Sequence, residues 1–272
     1  MTEINNNSPI GIFDSGVGGL TVLKEIFRVL PDENTIYLGD TARVPYGIRS
    51  PETVTRYSFE NVRFLASKGI KLLVVACNTA SSVSLEAIRT SVSIPVIGVI
   101  EPGASEAVKS TRVKKIGVIG TEATIRSSAY KKAIEAIDGS VQVFGFSCPL
   151  FVPMVEEGWI EGEIAMMVAE KYLRKVKEKG VDTLVLGCTH YPLLKKVIAE
   201  VMGSDIRLID SAVETTKRTA GTLKKDGLER RVKERPSKQF YVTDSPERFI
   251  MVGERFLEQR IEHINKISLS DQ

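Results

Sequence analysis

Short apolar runs alternate with longer stretches in which apolar positions recur every three or four residues, almost from end to end of the chain. Ile10–Phe13, Thr35–Leu38, Leu72–Cys77, Pro95–Ile100, Lys115–Ile119, Val141–Phe144, Leu184–Cys188, Ile206–Ile209 and Gln239–Thr243 read as buried strands. Helical patterns follow them. The first is Leu20–Leu30, stopped at Pro31; the second starts at Pro51 behind Ser50 as N-cap and runs to about Lys68, where Gly69 ends it. Later helices are expected after Asn78, after Pro102, over Glu122–Ile137, over Phe151–Glu157, over Glu161–Glu178, after Tyr191, over Ala212–Leu223 and over Pro246–Ile264. The alternation predicts an α/β fold with mostly parallel sheets and helices on both faces.

The pattern also repeats. Ile10–Ser15 matches Ile116–Thr121 at a shift of 106, and the two apolar runs that end on a cysteine, LLVVACNT and LVLGCTH, match at 188 − 77 = 111. Two halves built this way look like a duplicated α/β unit, and duplicates that face each other bring Cys77 and Cys188 to opposite sides of one cleft. Each cysteine is expected at the carboxyl end of a strand and the mouth of a helix. Open α/β sheets bind ligands there, and a thiolate is favoured there.

Composition narrows the choices. The 272 residues, 43% hydrophobic and 26% charged, fit a globular protein with room for two domains. A net charge of +3 on 37 basic and 34 acidic residues gives no reason to expect a nucleic-acid partner. The basic stretch Arg230–Lys238 has no apolar face and reads as a solvated connection. No apolar run nears the roughly 18 residues of a bilayer span. The polar segment Met1–Pro9 lacks an apolar signal region, so a frayed tail, no membrane and a cytoplasmic location are expected. Cys77, Cys148 and Cys188 are odd in number and widely spaced, which argues against a disulfide framework or a zinc ribbon. Cys148 reads as a small buried hydrophobe. With His190 and His263 the only histidines, a metal is not implied.

Two thiols across a ligand suit the inversion of a carbon stereocentre, in which one face needs a base and the other an acid. Asp14 and His190 stand beside the two strand ends as natural assistants. Asn78, Thr79 and Thr189 offer neutral polar groups at helix mouths suited to carboxylates, and Ser15 with the following glycine turn could add donors. That turn has neither P-loop nor dinucleotide spacing, and no lysine lies in a recognisable pyridoxal-phosphate motif, so cofactor-free chemistry is the simpler reading. The residues alone leave the substrate open.

The segments IGIFDSGVGGLTVL, YLGDTARVPYG, VVACNTAS, GTEATI, CPLFVPMVEEG and LGCTHYPLL, in this order, resemble the glutamate racemases of the aspartate/glutamate racemase superfamily. The resemblance covers nearly the whole chain. It implies cofactor-independent interconversion of L- and D-glutamate, supplying D-glutamate for peptidoglycan, by a homodimer. It implies two α/β domains, 1–98 with 210–272 and 99–209, flanking the active site. Carried over by motif, Cys77 and Cys188 are the acid/base pair, and Asp14, Ser15, Tyr46, Gly47, Asn78, Thr79, Thr121, Thr124, Thr189 and His190 bind substrate. Asp40 and Glu156 match acidic positions near the site. Aspartate, a hydantoin, or a binding protein with structural cysteines are the competing readings.

Overall fold

The computed structural model describes residues 4–232 and 234–269. In chain order its strands are β1 (Ile10–Asp14), β2 (Thr35–Gly39), β3 (Leu72–Val75), β4 (Val96–Gly98), β5 (Lys115–Gly120), β6 (Gln142–Ser147), β7 (Thr183–Gly187), β8 (Arg207–Asp210), β9 (Lys238–Val242) and β10 (Ile264–Lys266). The helices are α1 (Leu20–Val29), α2 (Pro51–Ser67), α3 (Asn78–Ser91), α4 (Ile100–Ser110), α5 (Glu122–Arg126), α6 (Ala129–Ile137), α7 (Phe151–Glu156), α8 (Glu163–Lys177), α9 (Lys195–Met202), α10 (Ser211–Lys225) and α11 (Pro246–Leu257).

The strands form two sheets, β10-β9-β2-β1-β3-β4 and β6-β5-β7-β8, with every pairing parallel. The order β2-β1-β3-β4 recurs as β6-β5-β7-β8, so the sequence repeat is a repeat of topology. In each sheet the winding reverses between the first and third strands of the unit. The crevice at that reversal is the usual ligand site of an open α/β sheet. Asp14 and Cys77 follow the reversal in one sheet, and Thr121 and Cys188 follow it in the other.

Alternation along β3 shows why these runs carry no polar residues. Leu72 and Val74 join the large core cluster with α1, α4 and the second sheet, whereas Leu73 and Val75 face a second cluster with α2 and α3. A strand covered on both faces must be apolar at every position. Ser50 caps α2 with its hydroxyl, 3.3 Å from the Thr53 amide, and Gly69 ends that helix at φ 69°.

The fold departs from the sequence expectations in five places. The stretch Glu122–Ile137 is two helices, because Ser128 turns left-handed at φ 57° and the Ser127 hydroxyl takes the Ala129 amide and donates to the Thr124 carbonyl. Serine side chains compete with the helix for its own hydrogen bonds in this way. Pro246–Ile264 stops at Leu257, with Glu258 left-handed at φ 54°, and Ile264–Lys266 is a strand on β9, too short and too polar to stand out in the sequence. The segment after Cys188 is a 3-10 turn, Tyr191–Leu194, before α9. Only Cys77, then, opens directly into a long helix.

The tail is also not frayed where it is described. Buried Lys71, paired with Glu33, donates to the Asn6 carbonyl at 2.7 Å, and the Asn34 amide donates to the Asn7 carbonyl at 2.7 Å. Residues 1–3 of that expectation lie outside the described residues. Nor is Arg230–Lys238 merely solvated: the Arg230 guanidinium donates to Asn7 Oδ1 and to the carbonyls of Asp32, Val232 and Glu234. No described helix is long and apolar enough to cross a membrane.

Candidate active site

Cys77 leaves β3 and is the N-cap of α3, where its sulfur accepts the Ala80 amide at 3.5 Å. Its thiol points to the Ser15 hydroxyl, 3.7 Å away in the turn after β1. Asp14, at the end of β1, is fully buried; its carboxylate accepts the Gly16 amide at 2.9 Å and the Thr189 hydroxyl at 3.5 Å. Asp14 thus reaches across to the second half while standing behind Cys77.

Cys188 leaves β7 and has different company. Its sulfur lies 3.9 Å from His190 Nδ1, and His190 Nε2 lies 3.1 Å from Glu156 Oε1 at the end of α7. The edge of the His190 ring meets Phe256 of α11 at 5.2 Å between centroids, and Arg248 of the same helix stands 3.9 Å from the second Glu156 oxygen. The cysteine, imidazole and carboxylate form a line.

A third group joins the halves. The hydroxyls of Thr79 and Thr121 are 2.9 Å apart, Thr121 and Thr124 are 3.0 Å apart, and Thr79 and Thr124 are 3.4 Å apart. Thr121 caps α5. Gly47 packs against it so closely that a β-carbon there would lie 2.8 Å from Thr121 Cβ. Tyr46, beside Gly47, donates its hydroxyl to the buried Asp40, which also accepts from Arg43 and, at 3.0 Å, from Thr243. Asp40 is therefore a support behind Tyr46 rather than part of the wall.

These groups enclose a cavity of about 360 Å³. Ser15, Tyr46, Gly47, Cys77, Asn78, Thr79, Thr121, Cys188, Thr189 and His190 all line it, while Asp14 and Thr124 sit one layer back. Larger grooves elsewhere, such as one of about 670 Å³ between α4 and α10, are lined by exposed lysines and glutamates and hold no comparable chemistry. The sequence reading missed the apolar wall of Val44, Ile48, Pro149, Val152 and Pro153. Apolar side chains carry no chemical signal until the segments that hold them are placed. Cys148 is buried beneath that wall, with burial and then Cys188 pushing its thiol up to about 12. Among the described residues, no cluster of three or more His, Cys, Asp or Glu side chains has the arrangement of a metal site.

The two cysteine sites differ electrostatically. Burial, followed by the Asp14 charge, pushes the Cys77 thiol up to about 12, against the Ala80 and Ser15 hydrogen bonds. Burial also raises Asp14, against the attraction of His190 and the amides of Gly16 and Gly19. At His190, burial disfavours the cation, but hydrogen bonds to Cys188 and Glu156 and their charges prevail, and its pKa rises to about 10. Burial opposes ionisation of Glu156 too, yet the His190 bond and charge hold it below the usual carboxylate value. One wall holds a neutral thiol, and the other sets a sulfur beside an imidazolium.

Two buried thiols, one from each half of a duplicated α/β chain, line this one cavity, and the fold class is that of a doubly wound α/β enzyme. Comparison with known proteins gives the class a family. Residues 10–219 match the Asp/Glu/Hydantoin racemase family. A glutamate racemase of Geobacter metallireducens is 58% identical over 260 residues, covering 96% of each chain. The glutamate racemase of Francisella tularensis in complex with D-glutamate superposes with a TM-score of 0.93 at 39% identity, over 98% of this chain and 100% of that one. Isoform RacE1 of Bacillus anthracis glutamate racemase gives 0.94 at 42% identity, over 97% and 99%. The chain belongs to the Asp/Glu/Hydantoin racemase family and is by class an amino-acid racemase.

Proposed function

We propose that this chain interconverts L- and D-glutamate without a cofactor, using Cys77 and Cys188 on opposite faces of the α-carbon. The observation that carries the reading is that both cysteines, at matching strand ends of the two repeats, line one cavity with distinct partners. One sulfur, as thiolate, takes the α-proton, and the electron pair stays on carbon. The other thiol then delivers its proton to the opposite face. The two sulfurs end with their protonation exchanged and are reset by proton exchange with water. Burial and the Asp14 charge hold Cys77 as a thiol, and Cys188 lies beside the His190 imidazolium that Glu156 backs.

The α-proton of an amino acid is a very weak acid, so the carbanion must form among preorganised donors away from water. Cys77 and Cys188 are only 5% and 6% exposed, which fits that requirement. Asn78, Thr79 and Thr121 gather donors at the N-terminus of α3 for one carboxylate. Ser15 and the Tyr46–Gly47 turn line the cavity for the other. Glutamate, rather than aspartate or a hydantoin, is supported by the similarity to proteins described as glutamate racemases, one of them bound to D-glutamate. The reading includes two domains, 1–98 with 210–272 and 99–209, around the cavity. On the sequence resemblance it extends to a cytoplasmic homodimer supplying D-glutamate for peptidoglycan.

Circular dichroism of L-glutamate, D-glutamate and L-aspartate without added cofactor tests the substrate; preference for aspartate would sink the choice of glutamate. Cys77→Ser and Cys188→Ser should each lower kcat/KM by about 10²–10⁴-fold, the usual scale of a lost acid or base. The equilibrium constant of a racemisation is one, so both directions must fall alike. The difference between the cysteines should appear instead in solvent deuterium exchange without inversion, each variant favouring a different enantiomer. Full activity in either variant overturns the two-cysteine reading.

A further inference from the structure

Asn78 lines the cavity and is 2% exposed, yet its side-chain nitrogen has no partner among the described residues. Its oxygen is occupied: the Tyr130 hydroxyl donates to Asn78 Oδ1 at 2.7 Å. A buried amide with one end held and the other unpaired is an uncompleted polar group, and a ligand that accepts a hydrogen bond completes it.

Tyr130 belongs to α6, in the opposite half from Asn78, and is 3% exposed. Burial keeps its hydroxyl protonated by holding it above the usual tyrosine value, so it serves as a donor. The tyrosine proton is directed at Asn78 Oδ1. The ring itself sits where two glycines leave room. A β-carbon on Gly187, next to Cys188, would lie 3.1 Å from Tyr130 Cε2, and one on Gly103 of α4 would lie 3.4 Å from both Cε1 and the hydroxyl. No other orientation of the Asn78 amide satisfies this donor: the carbonyl faces Tyr130 and the NH2 group is left for the cavity.

We infer that Tyr130 is a positioning residue for the reaction, fixing the Asn78 amide so that its NH2 group is presented to a carboxylate of the substrate. The inference rests on the glutamate reading above. It acts through Asn78 alone, without contact to the reacting carbon, so its effect falls on binding and spares the proton transfers.

The test measures racemisation of both enantiomers by the full-length protein and four variants. Tyr130→Phe keeps the ring in its glycine-lined space and removes only the donor. It should raise KM for L- and D-glutamate about 3- to 10-fold, the scale of one buried hydrogen bond, with kcat changed less than KM. Asn78→Ala should raise KM at least as much, and the double variant Tyr130→Phe/Asn78→Ala should be no worse than Asn78→Ala. Asn78→Asp should bind worse than Asn78→Ala, because it sets an oxygen against the substrate carboxylate. Multiplying effects in the double variant, an unchanged KM in a Tyr130→Phe protein with wild-type far-ultraviolet dichroism, or binding by Asn78→Asp equal to or better than wild type would each overturn the inference. Should Tyr130→Phe misfold, the Asn78→Asp comparison decides alone. Absence of glutamate turnover in the wild-type protein would instead remove the substrate reading itself.

Discussion

Asp14 and His190 sit beside the two cysteines and bring opposite charges to the two walls. Asp14 adds its charge to the burial that keeps Cys77 protonated, whereas His190, backed by Glu156, offers Cys188 a cation. The His190–Glu156 pair makes this contrast dependent on pH, with a definite sign. A histidine whose folded pKa is raised from 6.5 to about 10 adds stability that is complete below 6.5 and drains away as the pH rises through about 10. Glu156, lowered from 4.5, adds its share only above that value. Glu156→Gln should therefore melt below the wild type by most between about pH 4.5 and 6.5, with the gap closing toward pH 10. The alkaline limb of its kcat/KM profile should move to lower pH, since the imidazolium has lost an anion. Thermal melts and rate profiles across that range check both; a gap independent of pH would show that the pair does not titrate as argued. The family resemblance set Glu156 near the site but gave it no partner. Its pairing depends on α7 and the turn after Cys188 meeting in space, which no local pattern encodes.

At the scale of elements, the strands and most helices were legible because their signals are local: apolar runs, Ser50 and Pro51 at a helix start, Gly69 at its end. What was not legible depended on tertiary partners. The strand Ile264–Lys266 exists because β9 offers it an edge, and the break at Ser128 exists because Ser127 satisfies the backbone there. The candidate site divides the same way. Polar residues inside the quoted motifs, such as Asp14, Tyr46 and Thr121, could be read from them, while Tyr130 and Phe256 come from elements outside those motifs. The turn between β1 and α1 illustrates contact of this second kind. A β-carbon on Gly18 would lie 2.2 Å from Thr189 Oγ1 and 2.5 Å from His190 Nδ1. Gly18→Ala should accordingly displace His190 from Cys188 and lower kcat/KM about 100-fold, the effect of a misplacement near 1 Å. Kinetics together with a thermal melt check this. A folded Gly18→Ala protein with wild-type kcat/KM would mean that the turn yields freely.

For the whole molecule, two sheets and a returning C-terminal segment raise the prospect of two units that unfold independently, as chains of this length often do. The packing argues otherwise. One core cluster runs from Ile10, Ile12 and Val74 in the first sheet, through Leu20, Ala104 and Tyr130 on the helices, to Val118, Val185 and Ile209 in the second. Thr21 of α1 adds a hydrogen bond to the Thr189 carbonyl at 3.0 Å, buried between the halves. Separating the sheets would expose this apolar surface at roughly 25 cal/mol per Å² and strand those polar groups. Urea unfolding should therefore be a single transition. The fluorescence of Trp159, the one tryptophan and a reporter on the second half, should coincide with far-ultraviolet dichroism, which reports on both sheets. D-glutamate at 100 times its Kd should move both curves together by about 2.7 kcal/mol, since a ligand gripped from both halves binds only when both are folded. If the Trp159 transition came at lower urea, or moved without the dichroism when D-glutamate was added, the halves would be separate cooperative units. The cavity would then be assembled by docking, and not held open by a shared core.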